Sequence, residues 1–245
     1  MDPKISAMTD GGKMLADILK QLADMVKPGI KLQDIEDNAV KLLNSTGGEP
    51  AFMKVPGYRW ATCLNINEGV VHGIPTSREI KQGDLVKIDV GLFYKGFYTD
   101  TSTTVLVGND PEKEAFIMAG KMALEKAIEQ AVIGKRIGDI SWAIQETLAE
   151  YNLKAVPELT GHGVGKELHE KPYVPGILTS PLQNTPLLYD GQTLAVEVIY
   201  TGGNAQLVLD KDGWTINTKD AKIAGLFEET IAVTNQGPLR LTKIN

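Results

Sequence analysis

Cysteine is nearly absent from this chain, with Cys63 alone in 245 residues, and histidine is scarce, with three. A single thiol excludes an internal disulfide and any zinc site built on several cysteines, and it fits a reducing compartment. No apolar run approaches the roughly 18 residues that span a bilayer, and Met1-Asp2-Pro3-Lys4 lacks the basic-then-apolar start of a secretion signal. Positive charge is the minority sign: 25 Lys and Arg against 31 Asp and Glu leave −6. That balance disfavours a nucleic-acid partner, whose phosphates are neutralised by Lys and Arg. The expectation is a soluble, cytoplasmic protein with no membrane or nucleic-acid specificity, in which carboxylates and the three histidines would hold any metal. At 42% hydrophobic and 23% charged, the chain has an ordinary globular composition, which excludes disorder, collagen and coiled coil.

Apolar residues recur with the helical period over Asp10 to Val26 and Leu32 to Leu43, with Pro28-Gly29 as the break between them. Strand-like runs follow at Ala61 to Ile66, Leu85 to Tyr94 and Phe97 to Val107. Helical texture returns at Pro111 to Val132 and Asp139 to Tyr151. Strands are expected again at Thr193 to Tyr200, Ala205 to Leu209, Trp214 to Asn217 and Gly225 to Thr234. The order suggests a duplication. A shift of 105 residues sets Leu19 on Leu124, Gly29 on Gly134, Asp34 on Asp139, Ile35 on Ile140 and Leu43 on Leu148. No Pro- or Ser-rich linker divides the halves, so one α+β domain over residues 1–245 is expected, its helices outside curved antiparallel sheets in pseudo-twofold helix-helix-strand units.

The stretch Leu85 to Ser102 carries the clearest chemistry. Lys95-Gly96 suits a two-residue hairpin turn. Pairing Tyr94 with Phe97 then sets Gly91 opposite Asp100 and Asp89 opposite Ser102. Alternate residues share a face, so Asp89 and Asp100 become diagonal neighbours. Two adjacent carboxylates repel, and Asp is disfavoured inside the apolar run Val86, Ile88, Val90, Leu92. A divalent cation between them answers both objections. A loop-capping Asp beside a solvated one, or a register off by one, would also answer them.

His162 and His169 lie in a Gly-rich segment, Gly161-His162-Gly163-Val164-Gly165-Lys166-Glu167-Leu168-His169, that matches neither phosphate-loop spacing nor H-E-x-x-H. Its glycines allow a tight loop around a site that both imidazoles enter; loop histidines also serve as surface or packing residues. His72 sits in a similar turn-rich segment. Glu197 and Glu228 are acids within apolar strand runs, and each needs a cation or donor partner if buried. Glu229, sent to the opposite face from Glu228, is expected to face solvent.

Taken together, these motifs resemble the short, type I methionine aminopeptidases, which have the pita-bread fold. The resemblance runs from about residue 10 to 243. Its carriers are Asn67-Glu68 with His72-Gly73-Ile74-Pro75, the Asp89 to Asp100 hairpin, Gly161-His162-Gly163-Val164-Gly165 with His169-Glu170, Asp212-Gly213-Trp214-Thr215, and Phe227-Glu228-Glu229-Thr230. It implies two divalent metal ions (Mn, Fe, Co or Zn) on Asp89, Asp100, His162, Glu197 and Glu228, with Asp100 and Glu228 bridging. It also implies removal of the N-terminal methionine of nascent polypeptides when the second residue is small, by metal-activated hydroxide attack on the first peptide bond. Glu197 would shuttle the proton, His169 stabilise the oxyanion and His72 contact the leaving amide nitrogen. Four carboxylates and two divalent ions sum to zero charge. Phe52, Tyr58, Cys63, Leu168 and Trp214 would form the methionine pocket, with Cys63 there as a packing thiol. The implied protein is a monomer meeting its substrates near the ribosome surface.

Two positions depart from the family pattern. Val198 follows Glu197 where Pro is usual, and Gly91 replaces a small hydroxyl residue. The competing readings are a prolidase-like enzyme cleaving X-Pro bonds with the same ligands, and a non-catalytic binding protein of the same fold.

Overall fold

The computed structural model describes residues 2–244. The first part of the chain forms α1 (Pro3–Asp24), α2 (Leu32–Ser45), β1 (Glu49–Pro50), β2 (Thr62–Ile66), β3 (Gly69–Val71), β4 (Leu85–Tyr94) and β5 (Phe97–Leu106). The second forms α3 (Pro111–Glu129), α4 (Ile137–Glu150), β6 (Lys154–Ala155), β7 (Thr160–Gly163), β8 (Glu170–Pro175), β9 (Thr193–Thr201), β10 (Leu207–Leu209), β11 (Ile216–Thr218), β12 (Ala224–Thr234) and β13 (Gly237–Arg240). One large sheet runs β1-β4-β5-β12-β9-β7-β8, and β10, β11 and β3 form a small second one.

The internal repeat is present in the backbone. A shift of 105 carries α2 onto α4 and β1 onto β6, end for end. Both second helices start alike: the Asp34 carboxylate accepts from the Lys31 N–H at 3.0 Å, and that of Asp139 from the Arg136 N–H at 2.7 Å. Gly29 (φ +87°) and Gly134 (φ +90°) turn the chain between the paired helices. β1 pairs with β4 as β6 pairs with β9, so the pseudo-twofold axis passes between β5 and β12.

Strand alternation sorts the sheet's faces. Val86, Ile88, Val90 and Leu92 pack under α1 and α2, and Val196, Val198, Tyr200, Phe227, Ile231 and Val233 pack under α3 and α4. Burial of each such side chain stabilises the fold by about 1.5–3 kcal/mol, so the register of both strand pairs is strongly specified. Val198 is thus a core side chain of the helix-covered face. The opposite face is left to Lys87, Asp89 and Asp100 from one half and to Glu197 and Glu228 from the other.

Three expectations need correction. α1 begins at Pro3, seven residues before Asp10, because Asp2 caps it (its carboxylate accepts from the Lys4 N–H at 2.8 Å) and Pro3 suits the first turn. Gly11-Gly12 does not interrupt it; a Cβ at Gly12 would stand 2.4 Å from the Leu241 carbonyl oxygen, so the pair allows close packing. His162 belongs to β7 rather than to a loop. Glu229 does face away from Glu228, but it is buried on a central strand, bound by Arg240, whose Nε donates to Oε2 at 2.6 Å and whose second nitrogen holds Oε1. Arg240 also grips exposed Glu125 of α3 at 2.6 Å. Removing the Glu229 carboxylate leaves a half-buried guanidinium short of acceptors, so Glu229→Ala should lower unfolding free energy by about 2 kcal/mol, against under ~1 kcal/mol for Glu125→Ala. Urea unfolding of the two variants checks this.

Candidate metal centre and pocket

The β4–β5 hairpin has the anticipated register. Lys95 (φ +49°) and Gly96 (φ +86°) form the turn, Gly91 lies opposite Asp100 and Asp89 opposite Ser102. The pairings continue across the sheet: Ser102 faces Glu228, and Glu228 faces Glu197. One straight row of the inner face therefore reads Cys63, Asp89, Ser102, Glu228, Glu197. The next row holds Asp100 and, beyond Thr230 and Ala195, His162. At Asp100 the Thr230 hydroxyl replaces a ladder bond, accepting from the Asp100 N–H and donating to its carbonyl, both at 2.8 Å. The surrounding family motif held Thr230, but its role here was not visible in the sequence.

Five side chains thus converge. Asp100, His162 and Glu228 offer donor atoms within 4.8 Å of one another. Glu197 Oε1 lies 3.4 Å from His162 Nε2, and the Asp89 and Asp100 carboxyls are in hydrogen-bond contact. His162 Nδ1 lies 2.9 Å from the Gly163 carbonyl oxygen. A proton on Nδ1 makes that bond and turns the Nε2 lone pair to the acids, the tautomer a metal ligand needs. Burial pushes the His162 imidazole down to about 4, so it is neutral at neutral pH.

The carboxyls show the opposite shift. Burial raises Asp89 to about 7. Burial, then the charges of neighbouring acids, raises Asp100, Glu197 and Glu228 well above the ordinary range. Asp89 Oδ1 and Glu228 Oε1 are buried without a hydrogen-bond partner among the described residues. Buried acceptors without donors, on carboxyls that suppress one another's ionisation, are groups that a cation would satisfy. The donor set, four carboxylates and one imidazole, suits Mn, Fe, Co or Zn. These residues fit a divalent centre.

The same side chains line a cavity of about 170 Å³, far above the 10–15 Å³ or so that a water needs on the same measure. Its apolar end is Phe52, Tyr58, Cys63, Leu168 and Trp214, gathered in one cluster. Tyr58 packs edge-on to Trp214 at 5.0 Å and donates its hydroxyl to the Thr62 carbonyl at 2.8 Å. Burial raises the Cys63 thiol, consistent with a packing role. Val55 and Val71 also line the cavity; neither carried a signal beyond hydrophobicity. His72 and His169 stand exposed at the mouth, both lowered by the surrounding protein. His169 meets His162 edge-on at 4.4 Å.

Gly91 has a local reason. A Cβ there would lie 2.8 Å from Ala51 Cβ and 3.0 Å from a Phe52 ring carbon. The space a hydroxyl residue would occupy is taken by the pocket wall, which is hydrogen-bonded in place from the Ala51 N–H to the Gly91 carbonyl at 3.0 Å.

The model of metallopeptidase family M24 matches residues 6–235. A methionine aminopeptidase of Aquifex aeolicus is 39% identical, the match covering 98% of this chain and 96% of the relative. The chain belongs to the methionine aminopeptidases of family M24. Methionine aminopeptidase 1 of Bacillus subtilis is 34% identical over 98% of this chain and 97% of its own. The crystal structure of the Thermotoga maritima methionine aminopeptidase superimposes with a TM-score of 0.95 at 36% identity, covering 99% and 98% of the two chains. The prolidase of Pyrococcus furiosus, at 22% identity and a TM-score of 0.78, shares the fold; the match covers all of this chain and 65% of that one. The family uses divalent metals, and the pita-bread architecture is shared by both groups.

Metal-free stability should reflect these acids. Burial raises Asp100, Glu197 and Glu228, so where free carboxyls are ionised these acids hold protons more readily in the fold than in the unfolded chain. The unfolded chain then binds fewer protons, so stability falls as pH rises. Lys87, pushed down to about 7 by burial, opposes this with one group against three. The stabilisation conferred by Mn²⁺ should therefore grow from pH 6.5 to pH 8.5, read as the gap between urea midpoints with metal and with chelator. A constant gap would contradict the assignment.

Proposed function

We propose that this chain removes the N-terminal methionine from peptides and nascent proteins whose second residue is small. The observation that carries the reading is a single cavity with five metal-type donors at one end and an aromatic, sulfur-containing pocket at the other. Its depth ends on Phe52, Tyr58, Cys63, Leu168 and Trp214, side chains that suit an unbranched thioether. Divalent ions held by Asp89, Asp100, His162, Glu197 and Glu228 would supply Lewis acidity and water acidified to near neutral pH.

The chain's own groups perform the rest. Glu197, itself one of the five donors and only partly exposed, takes the proton from the attacking water and returns it to the departing amine. His169 donates to the oxygen of the scissile carbonyl as it gains charge, and His72 to the amide nitrogen that leaves. Neutral imidazoles suit both tasks, since their N–H groups donate without adding charge beside the ions, and the lowered pKa values of both keep them neutral. The apolar pocket holds the side chain and excludes water, fixing the first peptide bond over the carboxylates. We read residues 1–245 as one catalytic domain, acting as a cytoplasmic monomer on N-termini emerging at the ribosome.

The prolidase-like reading shares the fold, but a pocket closed by Trp214 and Tyr58 favours a long apolar first residue. Supplied with Mn²⁺, the protein should release methionine from Met-Gly peptides, little from Met-Lys peptides and nothing from Ala-Pro peptides; turnover of Ala-Pro alone overturns the reading. Asp100→Ala and His162→Ala should abolish metal-dependent turnover. His169→Ala should lower kcat about 10²–10³-fold with little change in KM, as loss of an oxyanion donor does. Steady-state kinetics on the same peptides decides each case.

A further inference from the structure

Lys87 is fully buried on the inner face of β4, one alternation before Asp89, and has no part in the chemistry above. A lysine rarely accepts full burial unless its amino group is paired. Here Nζ donates to the Asn67 carbonyl at 2.7 Å and to the Ala224 carbonyl at 3.2 Å. The Asn67 carbonyl also accepts from the Ala224 N–H at 2.9 Å. The amino group therefore ties together β4, the turn at Asn67 and the start of β12, the strand that carries Glu228.

That turn begins the ribbon that ends in His72. Asn67 takes a left-handed conformation (φ +50°), and so does His72 (φ +57°). Between them β3 lies over the inner face, with Val70 and Val71 packed on Ala224, Leu226 and Ile199. The far end of the ribbon is held by Asn65, which faces Lys87 directly across the β2–β4 pair. Asn65 Nδ2 donates to the Val71 carbonyl at 3.2 Å, and its Oδ1 accepts from the Gly73 N–H at 3.0 Å, bracketing His72. Asn65, Lys87 and Thr104 make one row, immediately beside the row of Asp89, Ser102 and Glu228. The ribbon is thus pinned at both ends by two neighbouring side chains of the sheet that carries the ligands.

We propose that Lys87 is a positioning residue: with Asn65 it holds the Asn67–Gly73 ribbon over the sheet and so sets where His72 stands relative to the metal ligands. Its kinetic expression rests on the role given to His72 above; the placement itself does not.

Lys87→Met removes the amino group at nearly constant length. In spectra of the metal-free protein, whose three imidazoles are assigned by single His→Ala changes, this variant should move the His72 ring signals and leave those of His162 in place. With Met-Gly peptide, it should lower kcat about tenfold with KM within about twofold and metal affinity by calorimetry unchanged. In a His72→Ala background the same substitution should cost less than about twofold, since both act through one imidazole. Unmoved His72 signals, or a tenfold cost that persists without His72, overturn the proposal. Where Lys87→Met does not fold, Lys87→Gln keeps a neutral donor and runs the same tests. Loss of folded protein in both, by circular dichroism, also overturns it, because Lys87 would then support the fold rather than His72. Absence of methionine release by the unmodified protein fails the functional reading instead, and the imidazole spectra still decide this one.

Discussion

Four carboxyl groups crowd onto one face of a continuous sheet, and the rest of the molecule is arranged around that repulsion. Asp89, Glu228 and Glu197 stand in a single cross-strand row with only Ser102 between them, and Asp100 lies diagonally next to Asp89. Burial and mutual repulsion raise these carboxyls, and two of their oxygens, Asp89 Oδ1 and Glu228 Oε1, have no donor among the described residues. With cations the same geometry becomes favourable. The helix-covered face supplies the rigidity that makes this tolerable: alternate residues of β4 and β9, and Phe227, Ile231 and Val233 of β12, are locked into an apolar core, so the acids cannot swing apart without unpacking it.

The duplication explains why the centre lies where it does. The axis between β5 and β12 brings one antiparallel strand pair from each half together, β4–β5 and β9–β12, and each contributes acids from its inner face. Neither half alone has the full donor set, since Asp89 and Asp100 come from the first and His162, Glu197 and Glu228 from the second. Because the donors come from both halves, displacing one half would move two of them against the other three.

Local pattern made much of this legible. The Asp89–Asp100 geometry follows from period-two alternation and the Lys95-Gly96 turn, and both survive folding because they are short-range. The repeat was readable because Gly29 and Gly134, and Asp34 and Asp139, perform the same helix-entry task in both halves. What escaped was set by tertiary partners. Three-residue β3 and the Gly-flanked β7 are strands only because neighbours pair with them, which is why His162 read as a loop residue. Glu229 has the right face in the sequence, but nothing there says that Arg240 covers that face. Nor does the local pattern say that Leu241 and Tyr94 close on Gly11-Gly12 of α1.

The centre and the pocket obey different constraints. The four carboxyl donors sit on the long paired strands β4, β5, β9 and β12, where backbone ladders fix their positions, and His162 on the short β7 beside β9. The pocket instead comes from a short 3₁₀ turn at Phe52–Lys54, the segment around Leu168, and the loop before β11 that presents Trp214. Such segments admit change more readily than the sheet does. Gly91 is where the two regimes meet, because its bare Cα lets the pocket wall rest on the ligand-bearing strand. The missing hydroxyl at that position is therefore a pocket feature: it brings Phe52 against the acid-bearing face and leaves Asp89 and Asp100 where the strand register had already put them.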